Sequence, residues 1–192
     1  VGAARAAGCD RVIVITGHRA EVVEAIVPDV EFVRQDRQLG TGHAVQQAVS
    51  LLDDTVPTLV LYGDVPLTSA ASLQQLVQAA GKDKLAILTV EQDDPFGLGR
   101  IVREHGAIVR IVEEKDATPE QRAIREINSG IMVAPTVQLK QWLSALSNDN
   151  AQGEYYLTDI VAQAVADGVA VTSAHPAAVW EVAGVNSKVQ LA

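Results

Sequence analysis

Apolar positions along this chain switch repeatedly between two periods. Residues 11–16, Arg-Val-Ile-Val-Ile-Thr, read as a buried strand, and the segment Ala20–Val27 that follows places Val22, Val23, Ile26 and Val27 on one helical face. Glu31-Phe32-Val33-Arg34-Gln35 reads as a strand again. A helix then opens at Thr41 or Gly42, with Ala44, Val45, Ala48, Val49 and Leu52 at helical spacing, and Thr58–Tyr62 is a fully apolar strand stopped by Gly63. This βαβαβ rhythm predicts right-handed crossovers and a Rossmann-like, doubly wound α/β sheet whose ligands bind beyond the carboxyl ends of the strands. Residues 1–8 read as the tail of a helix closing at Gly8, as in the middle of a βαβ unit.

Beyond Tyr62 the rhythm predicts a helix over Ser69–Ala80 and a strand over Leu85–Val90, and then it changes. Arg100–Arg103 and Ala107–Glu113 alternate around His105-Gly106, a hairpin signal that predicts an antiparallel insertion into the sheet. A strand Ile131–Ala134 is expected after a turn at Asn128-Ser129-Gly130, and a helix over Val137–Leu146. The polar run 148–153 then reads as the rim of a pocket. Thr158 is expected to cap a last helix to about Ala166, with short strands at 169–174 and 179–183 and Asn186 in a turn. No repeat or linker interrupts residues 1–192, which read as one partial domain.

Composition narrows the function. With 192 residues, 48% hydrophobic and only 4% aromatic, the chain has the Val- and Ala-rich runs of a sheet covered by helices. A net charge of -9 supplies no long-range attraction for nucleic acid or an anionic membrane, so no partner of either kind is expected. A phosphate ligand would have to be met locally, by helix termini, a cation or a few placed basic groups. The single Cys9 excludes an internal disulfide and reads as a small buried hydrophobe. No apolar run approaches a membrane span and no signal peptide is apparent, so the expected location is cytoplasmic.

His18, His43, His105 and His175 show no ligand spacing and read as surface or turn residues. Neither a Walker-type loop nor a full Gly-x-Gly-x-x-Gly is present. The run 38–44, Gln-Leu-Gly-Thr-Gly-His-Ala, offers backbone N–H groups at a helix start, and Asp64 ends an apolar strand with a carboxylate suited to a divalent metal. The amide of Gln35 matches a donor–acceptor base edge such as uracil, Glu113 and Asn128 can fork onto sugar hydroxyls, and Asp64 with Asn186 can supply oxygens to Mg²⁺. Taken singly, each of these is also what a solvated loop presents.

Together the motifs say more. The runs 38–44, 61–67 (Leu-Tyr-Gly-Asp-Val-Pro-Leu), 94–101 (Asp-Pro-Phe-Gly-Leu-Gly-Arg-Ile), 111–117, 126–131, 150–159 and 181–186 closely resemble, in order, the uridylyltransferase half of the bacterial bifunctional N-acetylglucosamine-1-phosphate uridyltransferase/glucosamine-1-phosphate acetyltransferases. The resemblance implies a nucleotidyltransferase sheet of the GT-A-like kind, and a reaction of UTP with N-acetylglucosamine 1-phosphate to give UDP-N-acetylglucosamine and pyrophosphate, which serves cell-wall synthesis. It implies that Gln35, Gly40 and Thr41 hold the uridine, that Tyr62, Gly63, Gly99, Glu113 and Asn128 line the ribose and sugar site, and that Asp64 and Asn186 bind Mg²⁺. Leu98 stands where the family carries a tyrosine.

The resemblance also implies a Gly-rich phosphate-binding loop upstream of these residues and a trimerising acetyltransferase domain downstream, neither of which is in this sequence. The 192-residue chain alone is therefore expected to bind sugar nucleotide better than it turns over. Two other readings compete: a catalytically inert sugar-nucleotide or partner-binding module on the same scaffold, and another sugar-1-phosphate nucleotidyltransferase. The run 150–159 favours the N-acetylglucosamine branch.

Overall fold

The computed structural model describes residues 1–185. In chain order its elements are α1 (Gly2–Ala6), β1 (Ile13–Thr16), α2 (Ala20–Ile26), β2 (Glu31–Arg34), α3 (Thr41–Ala48), β3 (Thr58–Val60), α4 (Ala70–Ala80), β4 (Leu85–Glu91), β5 (Arg100–Glu104), β6 (Ala107–Val112), α5 (Pro119–Arg122), β7 (Glu126–Ala134), α6 (Thr136–Ser144), α7 (Ile160–Ala166) and β8 (Val171–Ala174). Single 3-10 turns occupy Val49–Leu51, Leu157–Asp159 and Val179–Val182. The α/β class and the antiparallel hairpin β5–β6 are as the sequence predicts. Among the described residues no helix is long and apolar enough to cross a membrane.

The sheet itself is mixed rather than uniformly parallel. β1 and β2 pair in parallel, as a βαβ unit should, but β3 pairs antiparallel with β7 and not with β1. The larger sheet runs β6-β5-β7-β4-β8, with β4 antiparallel to β7 and parallel to β8. Hydrophobic periodicity identifies a strand without giving its direction, which is why β7 reads from sequence as a short strand after a turn. It is one strand from Glu126 to Ala134, and Asn128-Ser129-Gly130 lies within it. Gly130 takes a φ of +85°, and the pairing of β4 shifts register between Ile87 and Thr89 opposite it, the mark of a bulge.

Both faces of the central strands are covered, which explains their uninterrupted apolar runs. Leu85 and Ile87 of β4 and Met132 and Ala134 of β7 face α6 and α7, where Leu139, Trp142, Leu143 and Ile160 close the core. Ala86, Leu88, Ile131 and Val133 alternate to the other face and meet Leu73 and Leu76 of α4. Ser69 caps that helix by accepting from the Ser72 amide. Two other sequence expectations are corrected. Residues 179–182 form a 3-10 turn, and Thr158 lies inside a 3-10 turn ahead of α7 with its hydroxyl directed at Glu113 instead of capping the helix.

Coverage is uneven. Every residue of β4 except Glu91 is buried, whereas β3 and most of β1, although just as rich in aliphatic side chains, are only half-buried. Each of the latter has a strand partner on one edge only among the described residues. Unpaired edges leave amides open to solvent and to other chains. Hydrogen exchange of the 192-residue chain is therefore expected to be at least about tenfold faster at β1 and β3 than at β4 and β7; equal protection of all four strands would show that something covers those edges.

Candidate functional site

The glycine-flanked turn before α3 is built against a distant loop. Tyr155 N–H donates to Leu39 O at 2.8 Å, Gly42 N–H donates to Tyr155 O at 2.8 Å, and Leu157 N–H donates to the Thr41 hydroxyl at 3.1 Å. This close approach is what the glycines are for: a Cβ at Gly40 would fall 2.6 Å from Tyr155 O, and one at Gly42 would fall 2.4 Å from Leu146 Cδ1. The expectation of a fully bare row of N–H groups is thus corrected, because the Gly42 amide is already engaged. The Gln35 side chain, buried just beyond β2, donates from Nε2 to Gly40 O at 3.0 Å and lies 2.9 Å from His43 Nδ1. His43 is consequently a half-buried neighbour of the turn rather than a free surface residue, whereas His175 is exposed, as the sequence predicts, and contacts the Thr89 carbonyl at 3.0 Å.

Beside this turn opens a cavity of about 240 Å³ into which Thr41, Tyr62, Gly99, Glu113 and Asn128 all project. β3 delivers Tyr62, the hairpin delivers Gly99 and Glu113 from its two ends, and β7 delivers Asn128. Gly99 leaves room for the carboxylate, since a Cβ there would stand 3.3 Å from both Glu113 oxygens. Gly130 leaves room for Tyr62, whose ring would lie 2.6 Å from an added Cβ. Asn128 donates its backbone N–H to Gly99 O at 2.9 Å and accepts the Gly130 N–H on Oδ1 at 3.0 Å. The far wall is the loop 150–156, held by Asp116: its carboxylate accepts the Ala151 N–H at 2.9 Å and the Tyr156 hydroxyl at 3.2 Å.

Acidic and hydroxyl groups dominate the cavity, and among the described residues no lysine or arginine lines it. Burial raises the Glu113 carboxyl above the usual carboxylate range, an effect opposed by the Thr158 hydroxyl, which donates to Oε1 at 2.8 Å. Burial also pushes the Tyr62 phenol up to about 12, so it remains a neutral donor. Such a pocket suits a polyhydroxylated, uncharged group, each hydroxyl of which can give a hydrogen bond to a carboxylate and take one from an amide.

The remaining sequence-predicted residues fall around this cavity rather than in it. Gln35 and Gly40 lie on the neighbouring turn, and Gly63 and Asp64 occupy the exposed turn that follows Tyr62. Val185 N–H donates to Asp64 O at 2.7 Å, so the last described residue sits against that turn. Asn186 lies outside the described residues. Sequence reasoning overlooked Tyr156, Thr158 and Glu154, which also line the cavity. The run 150–159 was the available signal, but nothing in its spacing tells that it folds back on α3.

A mixed sheet with a glycine turn, a strand-end carboxylate and a cavity lined by carboxylates and hydroxyls along one edge matches a nucleotidyltransferase-like protein. The chain belongs to the MobA-like NTP transferase domain family, whose model matches residues 1–165. It is 64% identical over 194 residues to the bifunctional protein GlmU of Janthinobacterium sp. (strain Marseille), covering 100% of this chain and 43% of that protein. It is 66% identical over 181 residues to that of Herminiimonas arsenicoxydans, covering 93% of this chain and 40% of that protein. The chain thus spans about two fifths of the length of these curated relatives. A UDP-glucose pyrophosphorylase structure complexed with UDP-glucose superposes with a TM-score of 0.69 at 20% identity, over 86% of this chain and 73% of that one. A nucleotidyl transferase from Methanothermobacter thermautotroptrophicus gives 0.65 at 22%, over 99% and 74%. These two share the fold.

Because the folded state holds the Glu113 proton more tightly than the unfolded state, its contribution to stability is present below the unfolded carboxyl pKa and is lost as pH rises through the raised folded value. Ionised Glu113 therefore costs stability at neutral pH. Glu113→Gln is expected to unfold at higher temperature than the parent at pH 7, with the difference shrinking towards pH 4. Thermal melts at several pH values check this, and a variant destabilised equally at every pH would contradict it.

Proposed function

We propose that residues 1–192 form part of a uridylyltransferase domain that joins UTP to N-acetylglucosamine 1-phosphate, yielding UDP-N-acetylglucosamine and pyrophosphate in the cytoplasm. The observation that carries this reading is the cavity in which Thr41, Tyr62, Gly99, Glu113 and Asn128 converge beside the Gln35–Gly40 turn. High identity to the bifunctional protein GlmU across the chain supports it. On this reading Gln35, Gly40 and Thr41 hold the uridine, and Gly63 continues the ribose wall begun by Tyr62. Glu113 and the side-chain amide of Asn128 take the sugar hydroxyls. Full-length protein would be a homotrimer through an acetyltransferase domain.

The reaction needs no nucleophile from the protein. An oxygen of the sugar phosphate attacks the α-phosphorus of UTP in line, a new O–P bond forms, and the bond to the bridging oxygen breaks, so that pyrophosphate leaves with its electron pair. The residues of this chain act by alignment: the turn 38–42 fixes the base, and the cavity fixes the sugar so that its phosphate points at the Asp64 turn. Mg²⁺ fits this place because the Asp64 side chain is exposed, and Mg²⁺ is commonly held by one or two carboxylates together with substrate phosphates. No larger metal-holding cluster exists among the described residues. Asp64 and Asn186 would hold the ion, which when bound neutralises charge developing on the phosphates.

Calorimetric titration of the chain with UDP-N-acetylglucosamine in Mg²⁺ is expected to show weak binding that Gln35→Ala reduces about tenfold. Undiminished binding by that variant would remove Gln35 from the site. In protein that carries the Gly-rich loop upstream, Asp64→Ala is expected to lower pyrophosphate release by about 100-fold or more with a smaller effect on sugar-nucleotide affinity, because charge neutralisation serves the transition state above the ground state. A near-parental rate at saturating Mg²⁺ would defeat the metal assignment.

A further inference from the structure

One of the two most deeply buried charged side chains among the described residues lies behind the cavity and touches none of its open space. Arg100, the first residue of β5, is 2% exposed, and its guanidinium reaches three separate segments. Nη1 donates to Leu98 O, Nη2 donates to Glu114 Oε2 at 2.5 Å, and Nε and Nη2 both approach Arg122 O at 3.4 Å. The first segment leads directly into Gly99, the second follows directly on Glu113, and the third is the end of α5. That helix is itself fixed by a capping box between Thr118 and Gln121, and Arg122 closes the circle by donating from Nε to Glu114 O at 3.3 Å.

We propose that Arg100 is the positioning residue of the sugar end of the site: its guanidinium locks the turn carrying Gly99 to the turn carrying Glu113, and thereby sets the separation between the Glu113 carboxylate and Asn128. The last step is direct, since the Asn128 amide hangs on the Gly99 carbonyl at 2.9 Å. A planar fork is required because its donors leave in several fixed directions, towards two carbonyls and a carboxylate; an ammonium on a flexible stem keeps the charge but cannot hold all of them at once. Glu114 supplies the opposing charge that makes the burial tolerable. Nothing in this arrangement reaches the Gln35–Gly40 turn, so the device acts on the sugar and leaves the uridine side alone. The inference rests on the sugar-nucleotide reading above.

The test compares two ligands on the 192-residue chain, UMP and UDP-N-acetylglucosamine, by calorimetry. The parent is expected to bind UDP-N-acetylglucosamine more tightly than UMP. In Arg100→Lys that gain should fall by about tenfold, roughly the worth of one hydrogen bond to a charged group, while UMP affinity stays within about twofold. Amide exchange at Asn128 should accelerate in the same variant. Glu114→Gln, which retains an acceptor and disturbs the fold less, should move both readouts in the same direction by a smaller amount and serves in place of Arg100→Lys should the latter not fold. Parallel loss of both ligands, or an unchanged ratio between them, would overturn the positioning role and leave the sugar-nucleotide reading intact. A parent chain that gains nothing from the N-acetylglucosamine end would overturn both.

Discussion

Gly130 is the point on which the rest of the site turns. β7 has to serve one neighbour, β4, along its whole length and two different neighbours along its other edge, β5 near Ile127 and β3 from Met132 onwards. A strand that changes partners midway must bend, and the bend is made where φ reaches +85° at a residue without a Cβ. The same missing Cβ admits the ring of Tyr62, which arrives from the end of β3. The opening between β5 and β3 thus becomes a cavity floored by Asn128, Ser129 and Gly130 and walled by Tyr62 on one side and the hairpin on the other. Backbone freedom at one position creates the space, and the surrounding strands supply the chemistry.

That space is stabilised at a cost. A carboxylate beside Ile111, mostly withdrawn from water, opposes folding when ionised, and the single Thr158 hydroxyl offsets only part of this. Two neighbours hold Glu113 there: Gly99, across the hairpin, makes the room, and Glu114, next in the chain, is anchored to the buried Arg100. On the proposed reading, function and stability are in tension at Glu113, as expected where a site takes hydrogen bonds from a ligand that is absent during folding.

How much of this is legible in the amino-acid sequence depends on whether the information is local. Periodicity located β1, β2, α4 and the start of α3 within a residue or two, and the His105-Gly106 signal located the hairpin, because each rests on short-range pattern. The direction of β3 relative to β7 is not local, and a positive-φ glycine flanked by Asn and Ser looks like a turn until the strands on both sides are known. Thr158 illustrates the same limit from the other side: a threonine ahead of an apolar helix has the pattern of an N-cap, yet its hydroxyl is drawn to a carboxylate 45 residues away along the chain. At the site, Thr41, Tyr62, Gly99, Glu113 and Asn128 are recognisable as residue types at strand ends. Their convergence follows only from the topology.

The charge distribution divides the labour within the site. The chain carries a net charge of -9, and its cavity presents Glu113 and Glu154 with no basic side chain among the described lining residues, a lining better suited to hydroxyls than to phosphate. On the proposed reading the phosphate end would fall outside it, at the exposed Asp64 turn, where a cation would stand between one carboxylate and the phosphate oxygens. On the proposed reading, an acidic pocket next to the acidic Asp64 turn would orient a sugar phosphate: the uncharged ring would face inwards, and the charged end would face the place where a cation compensates its charge. Orientation of this kind needs no contact to the phosphate from the cavity itself, since repulsion from within and neutralisation from without act in the same direction.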